Sequence, residues 1–300
     1  MGAFAPAKLN LWLEVKGKRP DGFHEIETLF QTVDWGDEIE IRTPSAGGDL
    51  APPVAREVRY RGDAAFRLRE TDIDELVRTD LVGRAHDAWE EANGRRVPRA
   101  YEVKKRIPIG GGLGGGSSDA ATVLRELQRG EGALPPERLR EVALALGSDV
   151  PFLLGGGTAV GTGRGEDLRP IAPGPPMALV LIFPPFGTST SKVYASLDPR
   201  GRPAPEGGLE RCLHGLAVGD PEELRTAHHN DLAVPALRAY PELRRFAIDV
   251  ERRLGRPPCM TGSGSTLFDA PDEGKTSETM KRLEGLPGTR VVCRTSWGAA

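Results

Sequence analysis

The chain has 300 residues, 38% of them apolar, which suits one large domain or two ordinary ones with a real core. Lys and Arg number 40 against 43 Asp and Glu, a formal charge of −3, which argues against nucleic acid as a partner because that affinity rests on a basic face. The longest apolar run, Met177 to Phe183, falls far short of the roughly 20 residues a bilayer span needs, so no membrane partner is expected.

In chain order, "KLNLWLEVKGK" alternates apolar and polar residues and predicts a strand. "RPDGFHEI" carries turn chemistry at Pro20, Asp21 and Gly22, and "DEIEIRT" is a second alternating strand. A polar Gly- and Pro-rich insertion runs from Thr43 to Asp72, with a short strand at "REVRYRG". Helical spacing at Leu81, Val82, Ala85, Ala88 and Trp89 predicts a helix in "TDLVGRAHDAWEEAN". "RAYEVKKRIPIG" is a strand entering a glycine run. "SSDAATVLRELQRG" is a helix, with a serine cap expected at its start and Gly130 at its end. "PPERLREVALALGSDVPFLL" is a helix, a Gly-Ser-Asp turn and an apolar run, and "GGGTAVGTGRGEDLRPI" is a hairpin. "PMALVLIFPP" opens a second unit. Helices follow near Pro221 to His229, Glu242 to Leu254 and Ser277 to Leu283, then a final strand "TRVVCRT" and a tail "SWGAA" expected to be disordered. Strands mixed with helices over two units give an α+β class. His228 and His229 have no third ligand at metal spacing and are read as solvent-facing helix residues. The scattered Cys212, Cys259 and Cys293 suggest neither zinc nor a disulfide framework, so a reducing cytoplasm is the expected setting.

The densest signal is "IPIGGGLGGGSSDAATVL", Ile107 to Leu124. Glycines allow positive φ and close approach, and a glycine loop feeding a helix converges N–H groups and the helix dipole on one point. That point suits a phosphate. A flexible linker would not sit between a strand and a helix. The loop is no Walker A, because no lysine follows the glycines, and no dinucleotide fold, because no acidic residue ends a following strand. Protein-kinase partner motifs are absent.

The loop resembles the P-x-G-x-G-L-G-S/G-S motif of the GHMP kinases. "APAKLNLWLEVKGKRPDGFHEIETLFQTV", "LGSDVPFLLGGGTAVGTGRGE", "NDL" and "MTGSGSTLF" resemble, in order, the blocks of the branch that phosphorylates a cytidine diphosphate-linked methylerythritol in non-mevalonate isoprenoid synthesis. The resemblance implies a two-domain GHMP kinase fold: a ribosomal-protein-S5-domain-2-like ATP-binding domain over residues 1–168 and a ferredoxin-like domain over 169–300. It also implies ATP and Mg²⁺ as cofactors, a small-molecule substrate, and a monomer or weak homodimer. The first motif begins at Ala5, leaving no room for a plastid transit peptide.

By the same resemblance the nucleotide-binding residues are Pro108, Ile109, Gly110, Gly111, Gly112, Leu113, Gly114, Gly115, Gly116, Ser117 and Ser118, with Ser118 a candidate magnesium ligand. Asp149 is the catalytic aspartate that accepts or orients the proton of the attacking hydroxyl, and Lys8 stands beside it. On the residues alone, Asp149 reads as a turn residue and Lys8 as a surface lysine on an edge strand. The acceptor side is carried by Asn10, Phe23, His24, Thr190 and Tyr194. His24 would hydrogen-bond the cytosine, and Phe23 and Tyr194 would supply aromatic faces for it. "MTGSGSTLF" would close over the site from the second domain. Asp80 stands where relatives often have Asn, which bears on the adenine contact because an ionised carboxylate cannot donate. Two other readings remain: another GHMP kinase of the homoserine or mevalonate type, which would not explain "DGFHEI", and an inactive ligand sensor, which would be expected to lose Lys8 or Asp149.

Overall fold

A computed structural model describes residues 2–43, 56–62, 79–130, 132–198 and 204–296. Among them lie two sheets. The larger contains β1 (Gly2–Lys18), β2 (His24–Arg42), β3 (Arg56–Gly62), β4 (Arg99–Lys105), β5 (Thr158–Thr162), β6 (Asp167–Pro170) and the two-residue β8 (His229–Asn230). Its order is β3-β4-β2-β1-β8, and β5 and β6 extend from another stretch of β2. The smaller sheet runs β11-β7-β10-β9, from β7 (Ala178–Phe183), β9 (Cys259–Met260), β10 (Leu267–Asp269) and β11 (Thr289–Arg294).

β2 is one long strand where the turn chemistry and "DEIEIRT" predicted a turn and a short strand. Residues 28–31 pair with β5 and residues 38–42 with β4, so both halves of it find partners. The hairpin of β5 and β6 is as expected. Part of the Thr43–Asp72 insertion is β3, which pairs in parallel with β4; the rest of it, and the tail from Trp297, lie outside the described residues.

Four helices pack together on the larger sheet: α1 (Leu81–Asn93), α2 (Gly115–Gln128), α3 (Pro136–Leu146) and α4 (Val150–Gly155). Val82, Trp89, Ala121, Leu124 and Phe152 bury against Phe30, Ile39 and Val103 of the strands. Each such large side chain contributes about 1.5–3 kcal/mol by leaving water. The apolar run after Asp149 is therefore a short helix. α2 begins at Gly115, before the serines, with Gly114 at its N-cap, and it ends at its C-cap Arg129 with Gly130 directly after it.

The second half adds α5 (Thr190–Ala195), α6 (Gly208–Val218), α7 (Pro221–Ala227), α8 (Ala233–Ala239), α9 (Pro241–Leu254) and α10 (Thr276–Arg282). Leu243, Phe246 and Val250 of α9 cover Val180 and Ile182 of β7. A further cluster joins the halves, with Leu9, Leu11 and Trp12 of β1 packed with Leu181, Cys212, Leu216 and Phe268. Among the described residues no helix is long and apolar enough to cross a membrane.

His228 and His229 are not solvent-facing helix residues. His228 caps α7 and turns inward, where Nδ1 donates to the Leu11 carbonyl at 2.8 Å and Nε2 accepts the Met260 amide at 3.3 Å. His229 lies in β8, with Nε2 at 2.7 Å from Asp231 Oδ1 and its ring 5.0 Å from that of Trp12. The chain there must cross from α7 to the edge of β1, and that crossing turns both rings into the interface.

Candidate active site

β1 is central, not an edge strand: β2 lies on one side and β8 on the other. The register slips between Pro6 and Lys8 and again between Asn10 and Trp12. Such bulges re-aim side chains, and the two polar residues that lie between these slips are Lys8 and Asn10. Both are buried, at 5% and 2% exposure. The Lys8 ammonium donates to Asn10 Oδ1 at 2.7 Å, and Asn10 Nδ2 donates to Thr28 Oγ1 at 2.8 Å. Thr28 Oγ1 donates to the Trp12 carbonyl at 2.6 Å, so every member of the chain is anchored. Asp149, at the start of α4, brings its carboxylate to 3.5 Å from the Lys8 ammonium and is the more exposed partner.

These two groups open into a cleft of about 860 Å³. The glycine loop forms its wall from Pro108 to Ser117, and Asn10, Phe23, His24, Asp149, Thr190 and Tyr194 also line it. Ser118 does not. It is fully buried and its hydroxyl donates to the Pro6 carbonyl at 2.7 Å, because the early start of α2 turns it onto β1. The Ser118 hydroxyl is thus held on β1 away from the cleft, which Ser117 and Asp149 line. Among the described residues no cluster of three His, Cys, Asp or Glu is spaced to hold a metal.

The glycines answer to packing as much as to a ligand. Gly112 has φ +75°, and a Cβ there would lie 2.5 Å from the Thr261 carbonyl oxygen. The second glycine turn presses on the first: Ser265 and Thr266 donate backbone N–H bonds to the carbonyls of Gly110 and Gly111 at 3.0 and 3.2 Å. Thr261 Oγ1 accepts the Asn10 amide at 2.9 Å, and Thr190 Oγ1 lies 2.9 Å from Ser263 Oγ. The "MTGSGSTLF" turn therefore closes over the loop from the second half.

On the acceptor side the ring standing against Tyr194 is His24, with centroids 4.8 Å apart at 31°. Phe23 instead lies on the Arg164 guanidinium, 4.6 Å from its ring centroid, and is 51% exposed. Burial, then the nearby Lys18 charge, lowers the His24 pKa, which favours a neutral ring able both to donate and to accept. Burial, with a smaller push from Asp149, raises the Tyr194 phenol to about 12.

Asp80 has φ +33°, the one positive φ outside glycine among the described residues. Its carboxylate accepts the Gly83 amide at 3.0 Å and the Tyr60 hydroxyl at 3.3 Å. It is an acceptor capping α1, a role an ionised Asp fills as well as Asn.

Two groups escaped the sequence reading. Arg164 sits in the β5–β6 turn and lines the cleft. Lys105 also lines it, and its ammonium donates to Asp37 Oδ2 and to Asp119 Oδ2, the latter at 2.6 Å, all three side chains being buried. Asp37 Oδ1 further accepts the amides of Arg106 and Ile107, which fixes the exit from β4 into the loop. The signal for Lys105 was register: in β4 it shares the inward face with Tyr101 and Val103.

The family described as GHMP kinases N terminal domain matches residues 80–157. The chain is 36% identical over 267 residues to the 4-diphosphocytidyl-2-C-methyl-D-erythritol kinase of Pelotomaculum thermopropionicum, covering 89% of this chain and 87% of that protein. It is 39% identical over 301 residues to the enzyme of that name from Mycolicibacterium gilvum, covering 97% and 87%. A crystal structure of 4-(cytidine 5'-diphospho)-2C-methyl-D-erythritol kinase superposes with a TM-score of 0.75 at 31% identity, covering 99% of this chain and all of that one. L. major mevalonate kinase in complex with R-mevalonate, at 15% identity and TM-score 0.70 over 100% of this chain and 97% of that one, shares the fold.

Proposed function

This chain belongs to the 4-diphosphocytidyl-2-C-methyl-D-erythritol kinases of the GHMP kinase family, and from that we propose that it transfers the γ-phosphoryl group of ATP to the 2-hydroxyl of 4-diphosphocytidyl-2-C-methyl-D-erythritol. The observation that carries the reading is the Lys8–Asp149 pair, 3.5 Å apart, facing the glycine loop across one cleft.

Phosphoryl transfer has a loose transition state, so the protein's work is positioning and charge stabilisation. The loop from Pro108 to Ser117 and the N-terminus of α2 cradle the triphosphate. The acceptor oxygen attacks the γ-phosphorus, the bond to the ADP oxygen breaks, and Asp149 takes or orients the hydroxyl proton. Lys8 stands beside Asp149 and faces the charge on the transferring group. Asn10 orients Lys8. Magnesium, held by phosphate oxygens, water and the Ser117 hydroxyl, would neutralise developing phosphate charge.

Neutral His24 reads the cytosine edge, while Phe23, Tyr194 and Thr190 bound its face. A base lying against Tyr194 has to displace the His24 ring, so acceptor binding carries a local rearrangement. The proposed division at residues 168 and 169 is supported by the two sheets; it falls within β6 (Asp167–Pro170), and β8 crosses it to pair with β1. A cytoplasmic, monomeric or weakly dimeric enzyme completes the reading.

The test is coupled ADP release with ATP, Mg²⁺ and the cytidine acceptor, beside homoserine and mevalonate, for wild type and Asp149→Ala. Turnover with the cytidine acceptor alone, lost in the variant, is expected. Turnover only with a rival acceptor would overturn the substrate and the roles of His24 and Phe23.

A further inference from the structure

Phe23 is the most exposed aromatic side chain on the cleft wall, which is a poor start for a binding platform. An exposed ring on a turn samples several rotamers, and holding one of them on binding costs free energy. The turn itself is ordered. Arg19 donates its amide to the Phe23 carbonyl at 2.8 Å, and the Phe23 amide is held by Asp21 Oδ1 at 3.1 Å. The ring is held by something else, the Arg164 guanidinium 4.6 Å from its centroid.

Arg164 is built into place. It sits between Gly163 and Gly165, both at positive φ, at the tip of the hairpin of β5 and β6. Glu166 accepts the Arg164 amide and stands 3.5 Å from its Nε. The hairpin tip is pinned to the start of β2, where Ile26 donates its amide to the Gly163 carbonyl at 2.8 Å and Gly163 donates to Glu25 Oε1 at 3.2 Å. Arg164 and the Phe23–His24 turn are therefore locked to each other, and the Arg164 side chain itself reaches the cleft.

We infer that Arg164 is a positioning residue for acceptor recognition: its guanidinium covers one face of Phe23 and presents the other to the pyrimidine base, giving an Arg–Phe–base stack. The inference rests on the cytidine-kinase reading above and assigns the base platform within it. A cation over an aromatic face attracts the ring quadrupole, and a planar guanidinium also stacks, so a lysine would hold the ring less well. The contacts of Arg164 are with Phe23 and Glu166, so its effect belongs in acceptor affinity.

Steady-state kinetics of wild type, Arg164→Ala, Arg164→Lys and Phe23→Leu, with the Phe23→Leu/Arg164→Ala double variant, test it. Arg164→Ala is expected to raise KM for the cytidine acceptor about three- to tenfold, with kcat and KM for ATP within twofold of wild type. Arg164→Lys should recover part of the loss, and the double variant should be little worse than Phe23→Leu alone. Cytidine, as a competitive inhibitor without a diphosphate, should lose affinity in Arg164→Ala to the same degree. An unchanged acceptor KM, or additive losses in the double variant, would overturn the inference. A loss seen with the diphosphate substrate and absent with cytidine would reassign Arg164 to the diphosphate. A wild-type protein that turns over no cytidine acceptor overturns the function itself, an outcome distinct from all of these.

Discussion

Lys8 is held more closely by Asn10 than by Asp149: its ammonium donates to the Asn10 side chain at 2.7 Å and stands 3.5 Å from the Asp149 carboxylate. A lysine clamped to a neutral amide has its other N–H donors left for the transferring group. Were it clamped to the carboxylate, that carboxylate would be a weaker proton acceptor.

Asn10→Ala removes the clamp and leaves Lys8 free to swing. Misplacing a catalytic group by about 1 Å can cost roughly a hundredfold in rate. The expected result is kcat lower by about 10- to 100-fold with KM for ATP little changed, against a loss of at least about a thousandfold for Asp149→Ala. An Asn10→Ala enzyme with wild-type kcat would show that Lys8 is positioned by other means.

Gly114 is the loop glycine that bears on Lys8. Its φ is +69°, and a Cβ would lie 3.1 Å from Lys8 Cγ and 3.2 Å from Lys8 Cε. Gly114→Ala therefore meets backbone strain of about 1–2 kcal/mol and also pushes on the catalytic side chain. We expect a melting temperature lower by several degrees and a fall in kcat larger than any rise in KM for ATP. Gly130, whose nearest neighbour to an added Cβ is 3.6 Å away and whose φ is not positive, is the control: Gly130→Ala should keep both properties. Equal effects at the two positions would mean that general helix energetics, rather than contact with Lys8, governs Gly114.

What the sequence disclosed and what it hid have separable physical causes. The phosphate loop was legible because glycine runs carry local meaning, whereas Asp149 and the acceptor turn read locally as turn residues and took their roles only from the family resemblance. The alternation of "KLNLWLEVKGK" disclosed a strand but read Lys8 as a surface lysine on its edge, and that inference fails, because Lys8 is buried. β1 is central, helix α2 packs against it, and the second half of the chain adds β8 along its other edge, so its polar residues face a cleft instead of water. The serine cap of α2 was misplaced because Gly114 itself takes the left-handed cap conformation and the helix starts early. Arg164 could not be found at all, since its partner Phe23 lies in a different turn of the chain and meets it only through tertiary packing.

Buried beneath the loop, Lys105 balances two carboxylates, so the cluster carries one negative charge in excess when both are ionised. Burial would lower the ammonium, but Asp119 and Asp37 outweigh it and hold it above its usual value. Asp37 is the better-served anion, since it also accepts two backbone amides. Asp119 Oδ1 is buried without a partner, and burial, then the Asp37 charge, pushes that carboxyl up to about 8 against the attraction of Lys105. The folded chain thus keeps a proton that the unfolded chain gives up near pH 3.8, and this contribution to stability is lost as pH rises from there towards 8. Asp119→Asn should gain stability relative to wild type as pH is raised through that range, read as a growing difference in melting temperature. Lys105→Met, which strands the buried Asp37 carboxylate and removes the donor to Asp119, should cost about 3–5 kcal/mol at neutral pH. A difference between Asp119→Asn and wild type that does not vary with pH would show that Asp119 is ionised throughout.

His228 runs in the opposite sense. Its ring lies between the Leu11 carbonyl and the Met260 amide, a setting that needs one N–H and one bare nitrogen, which only the neutral imidazole offers. Burial pushes its pKa down to about 4, the two backbone bonds opposing and the His229 charge assisting. The unfolded chain binds a proton near pH 6.5 that the folded chain refuses until about pH 4. The stability His228 contributes is present above pH 6.5 and is lost as pH falls through that window, by up to about 3 kcal/mol. His228→Gln can keep both hydrogen bonds, with its amide N–H towards Leu11 and its oxygen towards Met260, yet it cannot be protonated. Comparing the two proteins at pH 7 and pH 5 cancels the Asp119 contribution, which both share. The variant should lose less melting temperature than wild type over that interval; an identical loss would mean that His228 accepts its proton without breaking the bridge between β1 and β9.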